Sequence, residues 1–340
     1  MSTEKRSGAR VVPVLAGALV VGGVLLRRRT RRSAPPSTRL ADTDDLLRTP
    51  DLVPRTVDVV TDDGARLRVL EYGDPDATPI VLSHGWTCSA DFWAPQINDL
   101  ADKYRVVVYD QRGHGRSEVG TRPLDPDVLG DDLAAVLAAT VRPGAPAVIA
   151  GHSMGGISVM SWASRYPTQV RERAKGILLA DTASDSLVRE TTVVPLPPGV
   201  PQVPARLAAS VMGSALPLPA TRLSTRALRY ATMGTRSTPA QVAFCERVVR
   251  DCAPRTRGMW GAVLTTVEIR DAVTNIDVPT VVVVGTEDRL TPPVQSRRLA
   301  EQLDRANVLD ELVELPGVGH MASVEAIAEF DAALVRLADR

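Results

Sequence analysis

The segment Ala147–Gly156 reads AVIAGHSMGG and places Ser153 at the centre of a G-x-S-x-G sequence. Its apolar start predicts a short buried strand, and SVMSWASRY, at residues 158–166, predicts a helix. A G-x-S-x-G sequence between a strand and a helix is typical of a tight turn that exposes the serine hydroxyl above a parallel sheet. Gly151 and Gly155 suit such a turn because a Cβ there would collide with the neighbouring strand or helix. The segment therefore predicts a nucleophilic serine, whose partners must come from elsewhere in the chain.

Apolar segments alternate with helical ones along most of the chain, which is typical of a sheet with both faces covered. The predicted strands are TVDVV, RLRVLEYG, PIVLSHGW, RVVVYD, AVIAGH, KGILLAD, PTVVVVG and VLDELVEL, beginning at residues 56, 66, 79, 105, 147, 175, 279 and 308. A D-D-G turn between the first two predicts an antiparallel hairpin. Helices are predicted over 90–102, 127–140, 296–303 and 323–339. The pattern predicts a doubly wound, mostly parallel α/β sheet.

Five short motifs follow the predicted strands in order. They are HGW at 84–86, YDQRGHGRS at 109–117, GHSMGG at 151–156, GTEDRLTP at 285–292 and GVGH at 317–320. With these motifs, and with its nucleophile, acid and base in the order Ser, Asp, His, the stretch 55–340 resembles the α/β-hydrolase family. It is most similar to lid-bearing serine esterases, monoacylglycerol-lipase-like enzymes and cofactor-free haloperoxidases or perhydrolases. The resemblance implies an α/β-hydrolase fold with an eight-stranded, mostly parallel sheet, helices on both faces and a helical lid. Epoxide hydrolases and haloalkane dehalogenases share similar segments but use an aspartate nucleophile, so Ser153 argues against both.

A serine hydroxyl needs an adjacent base, and the chain has four histidines. His320, in the loop after the last strand, is the candidate base. His152 precedes the serine directly, so the sharp turn should direct its side chain elsewhere. His84 and His114 lie in the HGW and RGHGRS loops, where we expect them to hydrogen-bond within those loops.

The base in turn needs a carboxylate that fixes its tautomer and stabilises the imidazolium. Asp288, in GTEDRLTP after the seventh strand, is the candidate acid. Asp181, directly after the sixth strand, is the alternative, because some relatives place the acid there. Glu287 is a third option. Whichever residue serves should be buried against the histidine.

The oxyanion that forms during acyl transfer needs backbone N–H donors. The resemblance implies that Met154, directly after the serine, and Trp86, after the third strand, supply them. The side chain of Trp86 also suits an apolar pocket wall. The sequence contains no P-loop, dinucleotide fingerprint, zinc motif or calcium loop, so we expect neither a cofactor nor a metal.

About ninety residues, 184–277, separate the sixth and seventh strands, where this fold carries a cap over the active site. The cap begins with a proline-rich stretch and continues with predicted helices at 206–216, 223–233 and 239–252. An apolar cap suggests a lipophilic acyl substrate. A rigid cap that shapes a pocket for a small ester is the alternative.

Residues 11–26 carry no charge and are followed by five arginines between residues 27 and 32. A helix of this length spans about 24 Å, somewhat short of a hydrocarbon core of about 30 Å, but flanking arginines can snorkel. The pattern predicts a single-pass membrane anchor, with the catalytic domain in the cytoplasm by the positive-inside bias. A cleaved signal peptide and export are the alternative.

These patterns divide the chain into five parts. They are an N-terminal basic and apolar membrane segment (1–32), a linker (33–54), the first part of the hydrolase core (55–183), the cap (184–277) and the second part of the core (278–340).

Charge and cysteine content restrict the function further. The 40 basic and 40 acidic residues give a formal net charge of zero, which argues against a nucleic-acid partner. Cys88, Cys245 and Cys252 form neither a disulfide framework nor a metal-binding spacing, so we expect small core residues.

Together the motifs predict a serine hydrolase that cleaves carboxylic esters, with lipophilic acyl esters favoured, through an acyl-enzyme. A perhydrolase, a haloperoxidase or a carbon–carbon bond hydrolase on the same triad is the alternative. A catalytically silent binding protein of the same fold is a third possibility.

Overall fold

The computed structural model describes residues 43–185, 187–193, 210, 212–216 and 221–340. Eight strands form one sheet in the order β1-β2-β4-β3-β5-β6-β7-β8. The two pairings of β2 are antiparallel and all the others are parallel, as the sequence predicts. The strands are β1 Arg55–Val60, β2 Arg66–Tyr72, β3 Pro79–Ser83, β4 Arg105–Tyr109, β5 Ala147–His152, β6 Ala174–Ala180, β7 Thr280–Gly285 and β8 Leu309–Leu315.

The strands at the centre of the sheet are buried on both faces. Every residue of β3, β4, β5 and β7 is buried. Side chains alternate between the two faces along β5, so that Val148 and Ala150 join one hydrophobic cluster while Ala147 and Ile149 join the other. Burial on both sides explains why these strands are continuous apolar runs rather than alternating ones.

Helices cover both faces of the sheet, which confirms the α/β-hydrolase architecture. The core helices are α1 Ala94–Leu100, α2 Pro126–Thr140, α3 Met154–Arg165, α4 Pro167–Arg173, α9 Pro293–Arg305, α10 Ala322–Glu325 and α11 Ile327–Ala338. Apolar side chains of α1 and α11 pack in one cluster, and those of α2, α3 and α9 pack in the other. The sequence explains where α2 begins. Asp125 caps the helix by accepting a hydrogen bond from the N–H of Val128 at 2.8 Å, and Pro126 is the first helical residue.

Two predicted helices differ in detail from the structure. The stretch 90–102 begins as a 3-10 turn, Ala90–Trp93, and becomes α-helical only over α1. The stretch 323–339 is broken at Ala326, whose φ of −138° and ψ of 58° are not helical, and α10 and α11 lie on either side of the break.

Four helices of the segment 184–277, the predicted cap, lie within the described residues. They are α5 Leu187–Glu190, α6 Arg222–Thr232, α7 Pro239–Asp251 and α8 Pro254–Leu264. The predictions for 223–233 and 239–252 agree with α6 and α7 within one residue, while α8 was not predicted. Both α6 and α7 begin with a capping box, from Thr221 and Thr238 respectively. The proline-rich stretch and most of the predicted helix at 206–216 lie outside the described residues.

The chain before β1 is partly packed against the core. Asp44–Leu47 form a 3-10 turn, and Leu47 is buried. Asn98 of α1 donates to the carbonyl oxygen of Leu46 at 2.8 Å. The last part of the predicted linker is therefore held by α1 rather than being loose.

None of the helices that the structure describes is both long enough and apolar enough to cross a lipid bilayer. The predicted membrane segment at 11–26 lies outside the described residues.

Candidate active site

Ser153 lies in the turn between β5 and α3, with a φ of +54° and a ψ of −116°. A positive φ is strained for serine, so the surrounding packing must enforce it. An ideal Cβ on Gly151 would lie 2.3 Å from the carbonyl oxygen of Gly155, and one on Gly155 would lie 2.0 Å from that of Ser83 in β3. Both glycines therefore allow strand and helix to approach closely enough to form the turn.

A chain of hydrogen bonds joins Ser153, His320 and Asp288. The hydroxyl of Ser153 donates to Nε2 of His320 at 3.0 Å, and the Nδ1–H of His320 donates to Oδ2 of Asp288 at 2.9 Å. The imidazole and the carboxylate are buried, at 4% and 3% exposure. The structure thus brings together the three residues that the sequence predicts as nucleophile, base and acid.

The carboxylate of Asp288 is fixed by donors from its own loop. The backbone N–H groups of Leu290 and Thr291 donate to Oδ1 at 2.8 and 2.9 Å, and the hydroxyl of Thr291 donates to Oδ2 at 2.6 Å. These donors leave Oδ2 facing the imidazole. Sequence reasoning missed Thr291, although an aspartate followed three residues later by threonine is a known signal for local side-chain hydrogen bonding.

The side chain of His152 holds the backbone of the candidate base, His320. Its Nε2–H donates to the carbonyl oxygen of His320 at 2.7 Å, and its ring stacks on Phe92 at 4.9 Å between centroids. Burial first, and then the nearby His320, lower the pKa of His152 to about 3. A neutral ring turned away from the serine hydroxyl agrees with the sequence prediction.

The remaining two histidines form hydrogen bonds within their loops, as predicted. The Nδ1–H of His84 donates to the carbonyl oxygen of Gly85 at 2.8 Å, and His114 donates to the carbonyl oxygen of Arg112 at 3.3 Å. His84 also accepts, at Nε2, from the backbone N–H of Gln111 in the loop after β4 at 3.0 Å. Burial lowers the pKa of His84 to about 4 and that of His114 to about 3. Both rings are therefore neutral at physiological pH.

The two alternative acids have other partners. Asp181 accepts from the backbone N–H groups of Gly285 at 3.0 Å and Ala322 at 2.9 Å, and so joins the end of β7 to the start of α10. Burial first, and then the charge of Asp288, raise the pKa of Asp181 well above its usual range. Glu287 accepts from the backbone N–H and the hydroxyl of Thr235 in the cap. Asp288 is the acid that contacts His320.

The loop after β3 passes directly beside the serine. An ideal Cβ on Gly85 would lie 3.2 Å from the Cβ of Ser153, and Trp86 follows. Met154 is the first residue of α3, so its backbone N–H has no acceptor within the helix. Met154 thus lies at the positive end of a helix dipole, and Trp86 follows a residue that packs against the serine.

Helix α8 is hydrogen-bonded to the loops that follow β3 and β4. The indole N–H of Trp86 donates to the carbonyl oxygen of Arg257 at 2.9 Å, and that of Trp260 donates to the carbonyl oxygen of Arg112 at 2.8 Å. The cap thus contacts the loops after β3 and β4.

Charged side chains from other parts of the chain hold the polar loop after β4. Arg112 is fully buried between Asp63 and Asp132, with nitrogen–oxygen distances of 2.8 and 2.7 Å. Ser117 donates to the carbonyl oxygen of Asp110 at 2.6 Å. A buried arginine with two partners fixes the exit of the strand without approaching the serine.

Within the described ranges, no group of three or more His, Cys, Asp or Glu side chains is placed to hold a metal ion. Cys88, Cys245 and Cys252 are buried free thiols, as expected for small core residues.

Comparison with known proteins gives a family match over most of the chain. The family described as "Serine aminopeptidase, S33" matches residues 74–326. The chain is 24% identical over 291 residues to a 3-oxoadipate enol-lactonase from Acinetobacter baylyi, an alignment that covers 82% of this chain and 94% of that protein.

A second relative is more similar over a shorter stretch. A bifunctional esterase/perhydrolase from Acinetobacter calcoaceticus is 39% identical over 123 residues, which is 36% of this chain. The chain spans 43% of the length of that relative. Among solved structures, an esterase from Exiguobacterium antarcticum superposes with a TM-score of 0.68 at 17% identity, over 84% of this chain and all of the esterase. At that identity the superposition shows a shared fold.

Proposed function

The chain belongs to the serine aminopeptidase S33 family of α/β-hydrolases, and we propose that it is a serine hydrolase that cleaves carboxylic esters through an acyl-enzyme. The observation that carries the proposal is the hydrogen-bonded series from Ser153 through His320 to Asp288. A serine at the strained turn, an imidazole nitrogen that accepts its hydrogen bond and a buried carboxylate are the parts that nucleophilic acyl transfer needs.

In the first half-reaction Ser153 Oγ attacks the ester carbonyl while Nε2 of His320 takes the hydroxyl proton. Asp288 holds the Nδ1–H tautomer and stabilises the imidazolium that forms. The oxyanion of the tetrahedral intermediate accepts hydrogen bonds from the backbone N–H groups of Met154 and Trp86. Each such donor contributes about 2.7–4 kcal/mol to lowering the barrier. His320 then returns the proton to the leaving alcohol, and the acyl group remains on Ser153.

In the second half-reaction water attacks the acyl-enzyme. Nε2 of His320 takes a proton from that water and then gives it to Ser153 Oγ as the carboxylic acid leaves. The acyl group leaves as the carboxylic acid while the imidazole of His320 and the hydroxyl of Ser153 are regenerated, so the cycle consumes only water and needs no external reductant or oxidant.

We propose a lipophilic acyl ester as the substrate. Two apolar side chains of α6, Leu223 and Tyr230, are 52% and 44% exposed and lie seven residues apart on one side of the helix. The cap thus presents apolar surface to solvent, which suits contact with an acyl chain or a lipid surface.

We propose further that residues 11–26 attach the protein to a membrane, with the hydrolase domain on the cytoplasmic side. The support is the charge-free run and the arginines that follow it. Membrane fractionation of cells expressing the full chain, with N-terminal sequencing of the product, tests this. A mature protein that starts after residue 26 would instead establish a cleaved signal peptide.

Peroxide-dependent acyl transfer is a second candidate activity. The 39% identical relative is described as a bifunctional esterase/perhydrolase, and its alignment covers about a third of this chain. On the same triad hydrogen peroxide would replace water as the nucleophile, so that the acyl-enzyme yields a peracid and free Ser153. Peracid formation from acetate and peroxide, assayed beside ester hydrolysis, separates the two activities.

The proposed function is tested with a fluorophosphonate probe and a substrate series. We expect the probe to label Ser153 and Ser153→Ala to lower kcat by about 10⁴-fold or more, because the nucleophile is lost. Ser164→Ala, an exposed serine on the same helix, is the matched control. Labelling of the Ser153→Ala protein would contradict the assignment. p-Nitrophenyl esters with acyl chains of about 2 to 16 carbons then distinguish esterase from lipase activity, and an aminoacyl p-nitroanilide measures aminopeptidase activity. Each substrate is assayed with the protein that contains residues 1–40 and with the protein that lacks them.

A further inference from the structure

Glu325 lies at the end of α10, and its side chain contacts the loop that carries His320. Its Oε1 accepts from the backbone N–H groups of Gly319 at 3.0 Å and Met321 at 3.2 Å. These residues precede and follow His320 directly. One carboxylate oxygen therefore holds the backbone on both sides of the proposed base.

The second oxygen of the same carboxylate contacts the cap. Oε2 accepts from the backbone N–H of Gly234 at 2.7 Å and from the hydroxyl of Ser237 at 2.6 Å. Both residues lie in the loop between α6 and α7, residues 233–238, which we call the cap loop. Glu325 thus joins the cap loop and the histidine loop through one side chain.

The two loops also touch directly. An ideal Cβ on Gly234 would lie 2.2 Å from the carbonyl oxygen of Gly317, and one on Gly319 would lie 2.5 Å from the backbone nitrogen of Gly234. The backbone N–H of His320 donates to the carbonyl oxygen of Thr232 at 2.8 Å. The cap loop is therefore in backbone contact with the base, and glycine on both sides permits the approach.

Glu325 is 4% exposed, and the four donors that the described residues direct to its carboxylate are all uncharged. Burial raises the pKa of its carboxyl, and the four donors act in the opposite direction. Burying a carboxyl without hydrogen-bond partners is unfavourable, so the four donors stabilise Glu325 in this position. In turn, its two oxygens hold the four donors together.

We propose that Glu325 is a positioning residue for the proposed hydrolysis, which fixes His320 against Ser153 and couples its position to the cap loop. The proposal rests on the proposed function. A displacement of about 1 Å between catalytic groups lowers rates by about 10²-fold, so a carboxylate that holds both neighbours of the base controls turnover without touching the substrate.

The experiment replaces Glu325 with glutamine in the full-length protein. Glutamine has one acceptor oxygen and an NH₂ group, so it can serve only one of the two pairs of donors. Asp331→Asn is the matched control, because Asp331 is also buried and its side-chain partners, Gln96 and Asp99, lie on α1 rather than in the histidine loop. Each variant is titrated with the fluorophosphonate probe, so that kcat is expressed per reactive serine and an unfolded fraction does not affect it.

We expect Glu325→Gln to lower kcat at least about tenfold with KM within about twofold, and Asp331→Asn to stay within about threefold of the unchanged protein. Equal effects of the two variants on kcat per reactive serine would overturn the proposal, because a purely structural role changes only the folded fraction. If Glu325→Gln yields no folded protein, Gly234→Ala decides. Its Cβ separates the two loops while leaving the carboxylate in place, so an unchanged kcat would overturn the coupling. Failure of Ser153→Ala to abolish activity would instead overturn the proposed function itself.

Discussion

The two halves of the candidate site are held in different ways. The serine half is built from tight packing, since Gly151 and Gly155 let β5, α3 and β3 meet around Ser153. The histidine half is built from hydrogen bonds, since His320 is held at its backbone by Thr232 and His152, and at its ring by Asp288. A packed turn resists displacement in every direction, whereas a hydrogen-bonded loop depends on each partner. The serine half is therefore expected to respond to volume changes, and the histidine half to changes of single polar atoms.

The largest expected effect follows from changing one polar atom in the histidine half. Asp288→Asn replaces the oxygen that accepts the Nδ1–H of His320, so the wrong tautomer is favoured and kcat should fall by about 10⁴-fold. The free energy of unfolding should change far less than the rate. Steady-state kinetics and urea unfolding of the same preparation measure both.

Asp304→Asn, an exposed aspartate on α9, is the control for that variant. If Asp181→Asn were inactive while Asp288→Asn kept its activity, the acid would be Asp181 and the geometry of the histidine half would have been misread.

The next prediction tests the packing of the serine half by adding a methyl group at Gly155. Gly155→Ala places a Cβ 2.0 Å from the carbonyl oxygen of Ser83, so we expect a loss of about 3 kcal/mol in the free energy of unfolding. Gly64→Ala is the comparison, because Gly64 has a φ of +85° but open space around it, and backbone strain alone costs about 1 kcal/mol. Urea denaturation measures the difference. Equal losses at the two positions would show that packing does not hold the turn.

The smallest effect concerns pH. His114 lies in the β4 exit loop, and burial first and His84 second lower its pKa to about 3, against about 6.5 in the unfolded chain. The unfolded state therefore binds the proton first as pH falls, so the stability that neutral His114 contributes is full above about pH 6.5 and is lost toward pH 3. In His114→Gln, the decline of stability from about pH 7 to about pH 5 should be smaller by about 2 kcal/mol.

Urea midpoints of both proteins at matched pH values check that prediction. Asp110 faces His114 with an opposing effect on its pKa, so Asp110 is kept unchanged in both proteins. Parallel stability curves for the two proteins would contradict a neutral, buried His114.

Sequence alone predicts the packed half well, because its causes are local. The apolar run before Ser153, the two glycines and the helical pattern after it lie within twenty residues, and all eight strands of the sheet are where the apolar segments predict them. The order of motifs also identifies Asp288 and His320, because this fold places such loops at the same edge of the sheet.

The supports of the histidine half could not be predicted in the same way. Glu325 appears in the sequence as one acid in a helical segment, and its partner Gly234 is 91 residues away. The short helix that carries this side chain ends at a break at Ala326. Local propensity does not predict that break, because alanine favours helix. Helix α8 was missed because Pro254 begins it directly after the end of α7, where a proline is also typical of a loop.

The four histidines of the chain all lie buried around this one site. His84 and His114 are 5.3 Å apart, and His152 and His320 are 5.0 Å apart, between ring centroids. Every imidazole resonance in a proton NMR spectrum of the untagged protein therefore reports on the site and its surroundings, with no background from the surface. Ligand binding and the proposed acylation of the serine can each be followed through four intrinsic signals, without introducing a label.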